Sequence, residues 1–159
     1  MKYPELIQTN FDIMDICSKV DLPLSGVFMR DEFPNNFRDG ENYILNLDSK
    51  NNDGTHFTAC CFNNRKCFYN DSYGAPPPIE FLRTLKRKGY KCYYNDKQTQ
   101  ALESSSCAYW SIAFLLWMNK IFKNEDDDDL DHFQKFIDMF HPENQNYNEK
   151  VLKKFLKPF

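Results

Sequence analysis

Apolar residues recur at helical spacing in some stretches of this chain and crowd into short runs in others, with polar breaks between them. Phe11 to Lys19 carries an amphipathic helical pattern, with Asn10 placed to cap it. Residues 23–40 are interrupted by Gly26, Pro34 and Gly40 and read as loop. Asn42 to Leu47 predicts a strand, and residues 51–54 a polar turn. Two runs follow, His56 to Phe62 and Lys66 to Asp71, joined by Asn63-Asn64-Arg65 as a hairpin. With Asn63 and Asn64 at the centre of the turn, His56 falls opposite Asp71; a slip of one residue would bring Ser72 there instead. Tyr73 to Pro78 contains consecutive prolines, which extend the chain. Pro78 suits the start of a helix over Ile79 to Lys88, and Gly89 its end. Tyr90 to Tyr94 predicts another strand and Gln98 to Ser106 a loop. Cys107 to Phe122 is apolar nearly all round, the pattern of a central buried helix. The acidic run Asn124 to Asp129 reads as a solvated linker, and Leu130 to Phe140 and Asn146 to Leu156 as amphipathic helices. The order is helix, sheet, helices: an α+β fold with a central sheet packed by a buried helix.

Composition narrows this picture. With 159 residues, 42% of them hydrophobic, the chain can bury a core as one domain, carrying a C-terminal helical extension from about residue 124. Fifteen Phe and nine Tyr supply much of that core. A net charge of −3 gives no general signal for nucleic acid. No signal-peptide pattern opens the chain and no apolar run reaches transmembrane length, so the expected setting is soluble and inside a cell. The six cysteines lack Cys-x-x-Cys spacing and a secretory context, which argues against a disulfide framework. A zinc site from His56, Cys60, Cys61 and Cys67 is disfavoured because adjacent strand residues point to opposite faces. Those cysteines read as strand core, and no metal is expected.

The chemistry lies in three residues, His56, Asp71 and Cys107. A thiol, an imidazole and a carboxylate are the parts of a cysteine-nucleophile triad. Cys107 follows Ser104-Ser105-Ser106 and opens the apolar helix. A thiol there feels the positive end of the helix dipole, which favours thiolate, and has free backbone N–H groups beside it. Those groups can stabilise an oxyanion. The plain alternative is a small buried hydrophobe, the usual fate of a free cysteine.

The same residues resemble a known family. Gly54-Thr55-His56-Phe57 is similar to the Gly-x-His-Trp motif of the adenovirus maturation proteases, the adenain-like cysteine proteases. Residues 63–74, with Asp71-Ser72-Tyr73-Gly74, resemble the strand and acidic motif that follow. Gln98 to Cys107 resembles the glutamine–cysteine motif, with Gln100 seven residues before Cys107. Leu24 to Phe28 and Phe33-Pro34 resemble the loop before the first strand. The chain departs from the pattern at Phe57 (usually Trp), at Ala108 (usually Gly) and at Ala101-Leu102 (often Gly-Pro). Its length resembles compact members from virophages and polinton-like viruses.

The resemblance implies the Ulp1/adenain-like fold, with catalytic His56, Asp71 and Cys107, an oxyanion hole from Gln100 and the Cys107 N–H, and substrate contacts at Gly54, Phe57 and Ser106. It implies cleavage of viral capsid and core precursors, after glycine, in the virion or infected cell. It also brings DNA as a cofactor, for which Lys86-Arg87-Lys88 and Lys91 are the basic patch, and an activating peptide, for which Cys92 is the acceptor. The bland reading of the patch is an exposed helix face. His132 and His141 read as surface residues, and Trp110 and Trp117 as core. The alternatives are a protease of ubiquitin-like proteins acting after Gly-Gly, and a binding module that kept the fold without catalysis.

Overall fold

The computed structural model describes residues 9–47, 56–121 and 128–159. Helix α1 spans Asn10–Lys19. Its cap is Thr9 and not the expected Asn10: the Thr9 hydroxyl accepts the Asp12 N–H while the Asp12 carboxylate accepts the Thr9 N–H. The predicted loop over 23–40 contains a strand, β1 (Gly26–Met29). It is a half-buried edge strand of four residues, too short to carry an alternation signal. Four further strands follow: β2 (Asn42–Asn46), β3 (Phe57–Asn63), β4 (Lys66–Asn70) and β5 (Lys91–Tyr94). They form one mixed sheet in the order β1-β2-β3-β4-β5, parallel at both edges and antiparallel in the middle.

The central strands are covered on both faces, so they read as nearly continuous apolar runs. On one face Ile44, Phe57, Ala59, Cys61 and Phe68 pack against α3 (Cys107–Ile121), beyond which lie α4 (Asp129–Asp138) and α5 (Gln145–Leu156). On the other, Leu45, Cys60, Phe62, Cys67 and Tyr69 pack with Phe37 and with Phe81 and Leu85 of α2 (Ile79–Arg87). Cys60 and Cys61 thus sit on opposite faces, as the strand period requires. Burial pushes the Cys17 thiol up to about 12 and holds those of Cys61 and Cys67 well above the ordinary thiol range. These are protonated core groups. Trp110 is buried in α3, and Trp117 is half-buried against α4, where His132 stacks on it and its ring Nε2 meets the Trp117 carbonyl at 2.7 Å. His132 is therefore partly buried and packed, not the simple surface residue expected.

Two expectations need correction. The hairpin turns at Asn64 and Arg65, both with φ in the left-handed region (49° and 61°), not at Asn63 and Asn64. The ladder pairs Asn63 with Lys66 and Ala59 with Asn70, two residues away from the predicted register. A shift of two keeps every side chain on its face. His56 and Asp71 therefore stay within diagonal reach, and Tyr73 takes the place opposite His56. The end of the acidic run is not solvated linker: Asp128 caps α4, and Asp129 is buried, bonding Lys66 Nζ (3.0 Å) and Asn63 Nδ2 (3.2 Å) at the far end of the hairpin. The polar turn at 51–54 and residue Phe122 lie outside the described residues. Among the described residues no helix is long and apolar enough to cross a membrane.

Candidate active site

His56 stands just before β3, Asp71 just after β4, and Cys107 opens α3, so three element ends meet at one end of the sheet. His56 Nε2 lies 2.8 Å from Asp71 Oδ1. Asp71 is 2% exposed, and the same oxygen accepts the Tyr73 N–H at 2.8 Å, which fixes the carboxylate against the imidazole. His56 Nδ1 is buried and has no oxygen or nitrogen partner among the described residues. Cys107 is close enough to His56 to change its protonation. Burial pulls the His56 pKa down, but the bond to Asp71, the interaction with Cys107 and the charges of both outweigh it and raise the value to about 9. The surroundings of His56 thus favour its charged form, next to Cys107 at a helix N-terminus.

Gln100 is completely buried, and both ends of its amide are held. Its Oε1 accepts the Ser72 hydroxyl at 2.6 Å, and its Nε2 donates to the Ser104 carbonyl at 2.7 Å. Nε2 carries a second hydrogen that this bond does not use. The loop bearing Gln100 is tied to the turn after Asp71: the Ser72 carbonyl accepts the N–H groups of both Thr99 (2.9 Å) and Gln100 (3.0 Å), and Asn95 Nδ2 donates to the Asp71 carbonyl.

Gly74 lets the two segments meet. Its φ is +74°, and a Cβ there would lie 2.7 Å from the Lys97 carbonyl carbon, a backbone atom that cannot swing aside. Gly74→Ala combines a left-handed strain with this clash. We expect a loss of more than about 1 kcal/mol of stability, read by urea unfolding, together with a fall in activity. Unchanged values for both would show that this close approach is not needed.

Of the residues marked from sequence, His56 bonds Asp71 and interacts with Cys107, while Gln100 is tied to Ser72, the residue after Asp71, and to Ser104, three residues before Cys107. Gly54 lies outside the described residues. Phe57 is 1% exposed and packs in the core under α3, so its side chain does not line a groove. In a strand covered on both faces the residue after His56 turns inward, which leaves only its backbone for the expected substrate contact. Ser106 is also buried, with its hydroxyl donating to Glu149 Oε1 at 2.7 Å. Its side chain is committed to α5 and not to a substrate. Cys92 is half-buried on β5, its Cα opposite that of Cys67.

The sequence reading missed Tyr73, Asn148 and Glu149. The Tyr73 ring stacks on His56, with centroids 4.4 Å apart and planes at 17°, and its hydroxyl donates to the Leu102 carbonyl at 3.4 Å. The corrected hairpin register would have pointed to Tyr73. Nothing local marks Asn148 or Glu149, whose role depends on how α5 docks.

No family model matches the chain, and no curated protein does. Among solved structures the chain is similar to an ASFV protease in its selenomethionine form, at 16% identity and a TM-score of 0.47 over 85% of this chain and 68% of that one. A second structure of the ASFV protease gives 15% identity and a TM-score of 0.48, over 84% and 67% of the two chains. A structure of AvrA with IP6 and CoA gives 19% identity and a TM-score of 0.49 over 79% of this chain, which spans about half of that one (53%).

Proposed function

We propose that this chain is a cysteine endopeptidase. The observation that carries the reading is the meeting of Cys107, at the N-terminus of a buried helix, with a His56 whose Nε2 is held by Asp71 at 2.8 Å. In the proposed mechanism the Cys107 thiolate, paired with the His56 imidazolium, attacks the scissile carbonyl. The Cys107 N–H and the second Nε2 hydrogen of Gln100 stabilise the resulting oxyanion. His56 then protonates the leaving amine, and the thioester is formed. Neutral His56 next takes a proton from water, which hydrolyses the thioester and returns the thiolate and imidazolium. Asp71 fixes the orientation and charge of the imidazole throughout.

The substrate reading rests on the motif resemblance and on Tyr73. Capsid and core precursors of a virus are the proposed substrates, cut after glycine. The Tyr73 ring stacks on His56 and its hydroxyl meets the Leu102 carbonyl, and in this reading it is the group that limits the side chain beside the scissile bond. We expect Tyr73→Ala to relax the preference, raising the ratio of cleavage after alanine to cleavage after glycine about tenfold. An unchanged ratio would assign the preference to another part of the groove.

The test of the function is digestion of a peptide library and of the virus's capsid precursor by the native protein and by Cys107→Ala, with new termini mapped by mass spectrometry. Cleavage by the native form alone, with glycine at the new C-termini, supports the reading. Cleavage confined to fusions of ubiquitin-like proteins would move the substrate class to those proteins. No cleavage of any substrate would point to a binding module.

A further inference from the structure

The C-terminal helix reaches into the site at two adjacent residues. Asn148, with no exposed surface, donates through Nδ2 to the Thr99 carbonyl at 3.1 Å and to the His141 carbonyl at 2.7 Å, and accepts the His141 N–H at 2.7 Å. Glu149 Oε1 accepts the Ser106 hydroxyl at 2.7 Å and the Ser104 hydroxyl at 3.3 Å, and those hydroxyls lie 2.8 Å apart. Thr99 immediately precedes Gln100, and Ser106 immediately precedes Cys107. Helix α5 thus grips the chain just before the oxyanion donor and again just before the nucleophile. The second grip bears on Gln100 directly, because the carbonyl of Ser104 receives the Gln100 Nε2–H.

We propose that Glu149 is a positioning residue: its carboxylate holds Ser104 and Ser106 so that the Gln100 amide and the Cys107 N–H converge on one oxyanion. Hydrogen bonds to a charged acceptor are short and strong, which suits a group that must fix a loop otherwise open to solvent at Leu102 and Ser105. The inference rests on the protease reading for its effect on rate, but the brace itself is a property of the fold. It also makes the docking of α5 a condition for an assembled site.

The experiment compares the native protein with Glu149→Ala, Glu149→Gln and the double variant Glu149→Ala with Ser106→Ala, using a glycine-containing fluorogenic peptide. Each form is also examined by ¹⁵N-resolved NMR of the Gln100 side-chain amide. We expect Glu149→Ala to lower kcat about tenfold with KM within about twofold. Glu149→Gln keeps an acceptor oxygen and should recover most of that loss. Ser106→Ala added to Glu149→Ala should cost little more, because both act through one bond. The Gln100 amide signals should move in Glu149→Ala and stay near their native positions in Glu149→Gln. Native kcat and unmoved signals in Glu149→Ala overturn the proposal. So does a loss that appears only in KM, or one that glutamine fails to recover. If the native protein cleaves nothing but the signals still move, the protease reading falls and the brace stands.

Discussion

Cys107→Ala is expected to abolish the proposed peptide hydrolysis, lowering kcat at least about 10⁴-fold, and to leave the fold in place. The rate effect follows because neither His56 nor Gln100 can form the covalent intermediate in its absence. The small structural effect follows from position. Cys107 is 6% exposed at the first residue of α3, and the helix is held by apolar residues on every side, Trp110, Ile112, Phe114 and Leu115 among them. Removing one sulfur from such an end costs about 1 kcal/mol, visible as a small drop in the urea midpoint. Steady-state assays and urea titrations of the two forms check both parts. Residual hydrolysis within about tenfold of native would show that the nucleophile lies elsewhere.

Asp71→Asn is expected to lower kcat/KM by about 10³-fold and to shift the pH profile. Asp71 contributes the largest of the effects that raise the His56 pKa to about 9. The raised value means that the imidazolium persists to that pH, so activity of the native protein should fall as pH rises through about 9. The same favourable interactions stabilise the fold fully below the ordinary histidine pKa, and that contribution is lost as pH rises through about 9. With asparagine at 71 the neutral amide can still accept the Tyr73 N–H, so the turn stays formed. The charge is gone, and burial then acts on His56 with less opposition. The alkaline limb should move toward lower pH. A limb that stays near 9 would mean that it reports a group other than His56.

Among the described residues the sequence pattern locates every helix to within one or two residues, because each carries an apolar face, a long apolar run or a cap, and it locates four of the five strands found there. Strand β1 escaped because a four-residue edge strand with all positions half-buried has no period to detect. The hairpin was found, but its register was off by two: Asn63-Asn64 and Asn64-Arg65 both offer left-handed turn residues, and arginine is an unusual occupant at φ 61°. The His56–Asp71 pair survived this error because two is the period of a strand. Tyr73 was lost to it. Asp129 and Glu149 were unreadable for a different reason. Each is an acidic residue in a polar stretch of sequence, and each gains its role only from long-range packing, against Lys66 in one case and Ser106 in the other. Phe57 and Ser106 were assigned to substrate by motif position, whereas the fold uses one as core and the other as a tether to α5.

The measurement that bears most directly on the central claim uses a peptide ending in a glycine vinyl sulfone, which traps a nucleophilic thiol irreversibly. The native protein and His56→Ala are treated at neutral pH, and the adduct is located by peptide mapping. The account predicts one adduct, on Cys107, formed rapidly in the native protein and at least about a hundredfold more slowly in His56→Ala. An adduct on the half-exposed Cys92, or equal rates in the two forms, would contradict it.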